Sequence, residues 1–141
     1  MRQGCVVLAD KNTNVLGGIR RLLEAEVETV LMVAEETSLK YALAHFNPDL
    51  VVADLSLPIS SKSDIAKELK KNFPQIKVII LSIHDDKSVL DDVLASGIEG
   101  FVLKRRAVID LIPAIRKVLQ GQKYISPDVN DASEKERSKV L

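Results

Sequence analysis

The sequence is poor in the residues that form disulfides, metal clusters and aromatic binding surfaces. Its 141 residues include one cysteine, two histidines, five other aromatic side chains and no tryptophan. The single cysteine, Cys5, cannot form an intramolecular disulfide, which favours a reducing compartment. One cysteine and two histidines also leave too few ligands for a zinc centre of the His/Cys type.

The chain also lacks net charge and long apolar runs. Lysine plus arginine and aspartate plus glutamate number 20 each, so there is no net basic field to hold DNA or RNA. No run approaches the ~18–20 apolar residues of a membrane span, and the N-terminus lacks the apolar stretch of a signal peptide. We therefore expect a soluble, cytoplasmic protein with no membrane partner and no direct nucleic-acid binding by this chain.

What the sequence does contain is an alternation of short apolar runs with segments of helical periodicity. The runs are continuous in Val, Ile and Leu, as strands buried on both faces of a sheet should be. They are Cys5–Ala9, Val27–Ala34, Leu50–Ala53, Val78–Leu81 and Phe101–Leu103. Five strands alternating with five helices predict an α/β fold, a flavodoxin-like doubly wound (βα)5 three-layer sandwich with parallel strand order 2-1-3-4-5.

Glycine and proline residues mark the ends of the predicted helices. Gly97 and Gly121 follow the last apolar residues of the fourth and fifth helices, where glycine commonly ends a helix. Pro113 fits only if it lies in the first turn of the fifth helix. We expect one domain over residues 1–122, followed by a polar tail or the start of a linker over residues 123–141.

Polar side chains follow four of the predicted strands, at the point where each strand ends. They are Asp10 and Lys11, Asp54, Ser82, and Lys104. Parallel strands end at one edge of a sheet, and ligands bind in the crevice outside those ends. Taken singly, an Asp or Ser after a strand can be a helix cap or turn residue, and a Lys can be a solvated side chain. Taken together, they favour a functional site at this edge.

The two carboxylates at this edge, Asp10 and Asp54, suit phosphoryl chemistry. Mg²⁺ prefers oxygen ligands, keeps several waters and shares phosphate oxygens with the protein. A carboxylate is a competent nucleophile toward a phosphoryl group and forms an aspartyl phosphate. A lysine can neutralise charge on the transferring group, and a hydroxyl can bond its oxygens.

Four stretches of the sequence resemble the receiver domains of bacterial two-component response regulators. They are Val7–Asp10, Pro48–Pro58, Ile80–Ser82 and Gly100–Lys104, and the similarity covers about residues 5 to 120. Tyr124–Pro127 is similar to the end of the receivers in LuxR/NarL-type transcriptional regulators, in which a linker and a helix-turn-helix output domain follow. Because no such domain follows here, the resemblance implies an isolated receiver or a truncated regulator.

The resemblance implies a role for each residue of the site. Asp54 would accept a phosphoryl group from a sensor histidine kinase, and Lys104 would pair with that group. Asp10, Asp54 and the backbone carbonyl of Ser56 would bind Mg²⁺. Ser56 and His84 would flank the approach of hydrolytic water and so influence the lifetime of the phosphate. The chain would be a signalling domain that assists its own phosphorylation and dephosphorylation rather than an enzyme.

The resemblance also implies a conformational switch. Ser82 would move to bond the phosphoryl group, which would let Phe101 turn inward. That movement would reshape the face formed by the fourth helix, the fifth strand and the fifth helix. A homodimer could form through this face.

Lys11 departs from the family's pattern, which has two adjacent acids after the first strand. Lys11 stands where the second, metal-binding acid is expected, so the two acids and two lysines of the site cancel in charge. An interaction between unit charges ~4 Å apart is worth about 4 kcal/mol at an effective dielectric of about 20. An inward-pointing Lys11 would therefore weaken Mg²⁺ binding, whereas an outward-pointing one would leave Asp10 to bind the metal with extra waters.

The sequence leaves more than one function open. In the first, Asp54 is phosphorylated, either with a weak dependence on Mg²⁺ or with the Lys11 ammonium supplying part of the charge of the metal. In the second, a degenerate receiver acts as a phosphorylation-independent protein-binding or dimerisation module. A third is an unrelated flavodoxin-like domain for a small phosphorylated ligand. The Pro48–Pro58 and Gly100–Lys104 segments argue against this third function, although the fold alone does not.

Overall fold

Strands and helices alternate along the chain, as the apolar runs predict. The computed structural model describes residues 4–127 and 129, with the side chains of residues 13–16 excepted. The strands are β1 (Cys5–Ala9), β2 (Thr29–Val33), β3 (Leu50–Asp54), β4 (Lys77–Ser82), β5 (Gly100–Leu103) and β6 (Tyr124–Ile125). The helices are α1 (Thr13–Glu24), α2 (Glu36–Phe46), α3 (Ile65–Asn72), α4 (Lys87–Ala95) and α5 (Ala107–Leu119). A short 3-10 turn, Lys104–Arg106, joins β5 to α5.

The strands form one parallel sheet in the order β2-β1-β3-β4-β5-β6. The predicted doubly wound fold and the order of its first five strands are confirmed. The chain reverses its direction of travel across the sheet between β1 and β3, so the connections after these strands lead to opposite faces. A crevice opens at such a point beyond the carboxyl ends of the strands.

Side chains of the strands alternate between two apolar layers. One layer contains Val7, Val51, Ile80 and Phe101 and packs against α2, α3 and α4. The other contains Val6, Leu50, Ile79 and Val102 and packs against α1 and α5. Each fully buried side chain of this size contributes roughly 1.5–3 kcal/mol to the free energy of unfolding. The strands that carry polar residues at their carboxyl ends are therefore held firmly by packing on both faces. Among the described residues, no helix is long and apolar enough to cross a membrane.

The sheet continues past the predicted domain boundary at residue 122. The Tyr124 amide donates to the Glu99 carbonyl at 3.1 Å, and the Ser126 amide donates to the Phe101 carbonyl at 2.9 Å. A strand of two residues leaves no recognisable apolar run, so the sequence pattern does not predict β6. Of the predicted tail, residues 128 and 130–141 lie outside the described residues.

Two further details differ from the sequence-based expectations. Pro113 lies in the middle of α5 rather than in its first turn, because the 3-10 turn leads into the helix at Ala107. Proline deprives the Ile109 carbonyl of its helical donor, but both residues are exposed and water can hydrate that carbonyl. The second strand is shorter than the run at 27–34 because the Val27 amide still donates to the end of α1, at the Leu23 carbonyl.

Candidate functional site

Asp10 and Asp54 lie side by side at the carboxyl edge of the sheet. In the register of β1 and β3, Ala9 is paired with Ala53, so the residues that follow them are neighbours. Asp10 is 1% exposed and Asp54 is 6% exposed. Buried carboxylates are unfavourable unless they are paired and hydrogen-bonded, so the surrounding groups determine whether this pair is stable.

Lys104 bridges the two carboxylates. Its Nζ lies 2.7 Å from Oδ2 of Asp54 and 2.8 Å from Oδ2 of Asp10. Lys104 donates a hydrogen bond to Asp54, and its ammonium forms an ion pair with Asp10. Burial alone would lower the pKa of Lys104, but the two carboxylates raise it above the ordinary value. Lys104 is therefore a permanent cation at neutral pH.

Local amide groups bind the other carboxylate oxygens. The Ser56 amide and hydroxyl donate to Oδ1 of Asp54 at 3.0 and 2.9 Å. The Asn12 amide donates to Oδ1 of Asp10 at 2.8 Å. Burial alone would raise the pKa of Asp54, but the bonds from Lys104 and Ser56 outweigh burial and lower it. Asp54 is therefore ionised at neutral pH, as a nucleophilic carboxylate must be.

Ser82 shares an open pocket with Asp54. The pocket has a volume of about 210 Å³ and is lined by Asp54, Leu55, Ser56, Ser82, Ile83 and His84. The Ser82 hydroxyl donates to the His84 carbonyl and accepts from the His84 amide, both at 2.9 Å. Ser82 must break its bond to that carbonyl before its hydroxyl can donate to a group bound in the pocket.

Phe101 lies outside this pocket and is fully buried. It belongs to the apolar layer that also contains Ile98, Leu103 and Val129. Alternation along β5 directs Phe101 and Leu103 to the same face of the sheet, where apolar neighbours enclose the ring. The ring lies inside in this structure, and the role of Phe101 as a switch residue stays a prediction.

Lys11 faces a different pocket from the carboxylate pair. Its side chain is exposed and lines a pocket of about 320 Å³ together with Ala34, Glu35, Glu36 and Pro58. Of the two orientations that the sequence left open, the structure has the outward one. The charges in direct contact at the site are therefore those of two carboxylates and one ammonium.

The carboxylate pair fits a cation that keeps most of its waters. Oδ2 of Asp10 is buried, and the Lys104 ammonium lies 2.8 Å from it. The described residues contain no group of three or more His, Cys, Asp or Glu side chains that could hold a metal ion. Mg²⁺ commonly binds through only one or two carboxylates, so two neighbouring carboxylates are compatible with such an ion.

A buried polar cluster lies next to the 3-10 turn that contains Lys104, and it was not predicted from the sequence. Asp110 accepts hydrogen bonds from the Ser126 hydroxyl and from Arg106 Nε, each at 2.8 Å. The Ser126 hydroxyl in turn accepts from the Leu103 amide at 3.0 Å. One signal could have revealed the cluster, since Asp110 interrupts the apolar stripe of α5.

The sequence matches the response regulator receiver domain family over residues 6–116. It is 31% identical over 138 residues to the transcriptional regulatory protein DegU of Brevibacillus brevis, covering 96% of this chain and 58% of DegU. It is 34% identical over 136 residues to the transcriptional regulatory protein RcsB of Escherichia coli strain K12, covering 92% of this chain and 62% of RcsB. The chain thus spans about three fifths of the length of these curated relatives.

Solved structures give the same result. The isolated receiver domain of RcsB from Salmonella enterica serovar Typhimurium, with the phosphomimetic BeF3⁻, has a TM-score of 0.82 and 31% identity, covering 92% of this chain and 98% of that domain. A longer RcsB structure from Salmonella typhimurium has a TM-score of 0.86 and 32% identity, covering 96% of this chain and 69% of that one. The chain therefore belongs to the family of response regulator receiver domains, and its relatives are regulators of the NarL/LuxR type.

Proposed function

We propose that Asp54 accepts a phosphoryl group from a histidine kinase, and that this domain passes the signal to the control of transcription. One observation carries the proposal. The ionised Asp54 carboxylate lies at the end of β3, bonded to Lys104 at 2.7 Å, and lines a pocket that it shares with Ser82. A buried carboxylate beside a fixed cation and an open pocket suits attack on an anionic phosphoryl group.

The transfer is a displacement at phosphorus. A carboxylate oxygen of Asp54 forms the new O–P bond while the N–P bond of a phosphohistidine breaks, and the electron pair returns to the imidazole nitrogen. Lys104 neutralises charge on the phosphoryl oxygens as it moves from the carboxylate pair toward the product. Ser82 exchanges its bond to the His84 carbonyl for one to a phosphoryl oxygen.

Mg²⁺ bound by Asp10, Asp54 and the Ser56 carbonyl would supply further charge neutralisation at the phosphoryl oxygens. Because Lys11 replaces the second acid of the family's pattern and faces another pocket, the ligand set lacks a third carboxylate. We therefore expect Mg²⁺ to bind weakly, and Lys104 to provide the permanent part of the positive charge.

We infer that Ser56 and His84 influence the lifetime of the aspartyl phosphate. Both residues line the pocket that contains Asp54, and both are exposed. Side chains at this position control the access of water to a phosphoryl group in the pocket. In this way the domain would take part in its own dephosphorylation.

The face of α4, β5 and α5 is the proposed surface for a second copy of the chain. Three large apolar side chains are exposed near it: Ile83 before α4, and Val108 and Ile109 at the start of α5, with exposures of 66%, 68% and 65%. Ile83 also lines the pocket of Asp54, so a change in that pocket can alter this surface.

Intact mass spectrometry after treatment with a small phosphodonor, with and without Mg²⁺, tests the proposal. The wild-type chain should gain the mass of one phosphoryl group, and Asp54→Asn should gain none. Asp49→Asn is the matched control, because Asp49 lies at the opposite end of the same strand and is exposed. It should be phosphorylated like the wild type.

A phosphorylation-independent binding module is the second candidate function, and buried Phe101 favours it. If the ring is already inside, the surface near β5 already has the form expected after signalling. Absence of any phosphorylated species in the wild type, with and without Mg²⁺, would reject phosphoryl acceptance and favour this candidate.

A further inference from the structure

Helix α5 has a buried carboxylate that the proposed phosphoryl transfer does not use. Asp110 is 2% exposed, and the other buried residues of the helix are apolar. Arg106 Nε donates to Oδ2 of Asp110 at 2.8 Å, and its Nη2 donates to Oδ1 at 3.2 Å. Burial would raise the pKa of Asp110, but the bonds from Arg106 and Ser126 outweigh burial and lower it. The carboxylate therefore stays charged, and its bonds are charge-assisted.

Ser126 connects this carboxylate to β5. The residue is fully buried, and its amide donates to the Phe101 carbonyl at 2.9 Å. In a continued parallel ladder, the Leu103 amide would next donate to the Ser126 carbonyl. That carbonyl instead accepts from the Val129 amide at 3.2 Å, and the Ser126 hydroxyl accepts from Leu103 at 3.0 Å. The hydroxyl thus completes the sheet at the point where the chain leaves it.

The same contacts enclose the short turn that contains Lys104. Leu103 directly precedes Lys104, and Arg106 ends the 3-10 turn. Leu103 is joined to Asp110 through the Ser126 hydroxyl, and Arg106 is joined to Asp110 directly. The backbone of Lys104 is therefore anchored on both sides by one buried carboxylate.

We propose that Asp110 and Ser126 are positioning residues that hold Lys104 against Asp10 and Asp54 and couple this site to the chain after β6. We call Leu103, Arg106, Asp110 and Ser126 the latch. A phosphoryl group that draws Lys104 toward it pulls on Leu103 and so on the hydroxyl of Ser126. Because coupling between two sites is reciprocal, a displacement of the chain beyond Ser126 also changes the position of Lys104. The signalling consequence rests on the proposed phosphorylation of Asp54, but the anchoring of Lys104 does not.

Competitive acylation of the full chain, read for each lysine by mass spectrometry, tests the anchoring without any phosphoryl group. Lys104 is held between two carboxylates, and exposed Lys11 is the internal reference. In Ser126→Ala, labelling of Lys104 relative to Lys11 should rise at least about fivefold. In Ser126→Thr, which keeps the hydroxyl, it should stay within about twofold of wild type. Unchanged labelling in Ser126→Ala would overturn the proposal.

Glu99→Gln separates anchoring from a general loss of stability. Glu99 lies next to β5 at its opposite end, where its carboxylate accepts from the Val78 amide at 2.8 Å and pairs with Lys70. The substitution weakens a similar polar cluster far along the strand from Lys104, so Lys104 should remain protected. If labelling of Lys104 rises as much in Glu99→Gln as in Ser126→Ala, the proposal is overturned. If Ser126→Ala does not fold, Asp110→Asn takes its place with the same expected result.

The initial rate of phosphorylation by the small phosphodonor tests the signalling consequence. Ser126→Ala should slow the mass gain at Asp54 at least about fivefold, while Glu99→Gln stays within about twofold of wild type. Equal rates in wild type and Ser126→Ala would refute the coupling. A wild-type chain that gains no phosphoryl group would reject the proposed function, and the acylation result would still decide whether the latch anchors Lys104.

Discussion

At the scale of single residues, Lys104 governs the electrostatics of the site. It lies within 2.8 Å of both carboxylates, whereas Lys11, which follows Asp10 directly in the sequence, faces a separate pocket. A side chain fifty positions from Asp54 therefore offsets part of the negative charge of the pair, and the adjacent lysine does not contact it. Of the two orientations that the sequence left open for Lys11, the outward one leaves its ammonium out of the charge balance of the carboxylate pair.

Replacing Lys11 tests this division of roles. Lys11→Asp places a carboxylate where the family has its second acid, so Mg²⁺ should bind roughly tenfold more tightly or better. The control Lys11→Met removes the ammonium without adding a ligand and should change the affinity less than about twofold. Isothermal titration calorimetry measures both. If Lys11→Met tightens binding as much as Lys11→Asp does, the ammonium repels the metal and Lys11 faces the site.

Sequence reasoning located Asp10, Asp54 and Lys104 together because the ends of parallel strands meet at one edge by construction. It could not orient Lys11 or Phe101, since their orientation depends on local packing rather than on strand order. Phe101 is covered in a layer that includes Val129, a residue beyond the last strand. The apolar pattern of β5 by itself therefore does not predict which residues cover the Phe101 ring.

At the scale of elements, α1 is the helix whose own residues do least to stabilise a helical conformation. It has no side-chain hydrogen bond at its N-cap, no acidic residue in its first turn, and two adjacent glycines, Gly17 and Gly18. A Cβ added at either glycine would meet nothing within 4 Å. The glycines therefore lower helix stability without a packing reason in the described structure.

Gly17→Ala and Gly18→Ala should each raise the free energy of unfolding by up to about 1 kcal/mol, because alanine loses less backbone entropy in a helix. Gly100→Ala is the contrasting control. A Cβ there would lie 2.7 Å from Cγ1 of Ile79, so this variant should be destabilised by about 1–3 kcal/mol. Urea denaturation measures all three. Destabilisation by Gly17→Ala would show that α1 needs the missing side chain for a contact elsewhere.

Apolar periodicity predicted the long elements of the fold and failed for the short ones. The five runs became strands, of which β1, β3, β4 and β5 are largely buried between the helices and β2, at the sheet margin, is only partly buried. β6 has only two residues, and its place in the sheet depends on the Ser126 hydroxyl and on the Glu99 and Phe101 carbonyls. Pro113 was misplaced because an exposed proline is tolerated inside a helix where water can reach the freed carbonyl.

At the scale of the whole molecule, two buried carboxylates link stability to pH. The pKa values of Asp54 and Asp110 are both lowered from the ordinary value of 3.8, against the opposing effect of burial. A carboxylate with a lowered folded-state pKa stabilises the protein above its unfolded-state pKa. That stability is lost as the pH falls through the folded-state value.

The free energy of unfolding of the wild type should therefore decline as the pH falls below about 4. Asp110→Asn should be less stable than wild type at neutral pH and should decline less steeply on acidification, because one of the two linked groups is gone. Denaturant titrations across this range measure both slopes. Identical slopes for wild type and Asp110→Asn would show that Asp110 does not contribute to acid unfolding.

The short strand β6 also covers the outer edge of β5. If the chain ended at residue 122, the carbonyls of Glu99 and Phe101 and the amide of Leu103 would lose the partners that residues 124–126 provide. Unpaired backbone groups at a sheet edge can pair with a strand of another chain. Residues 124–126 therefore replace the edge of β5 with an edge strand of only two residues, and we expect a shortened domain that omits them to aggregate more readily.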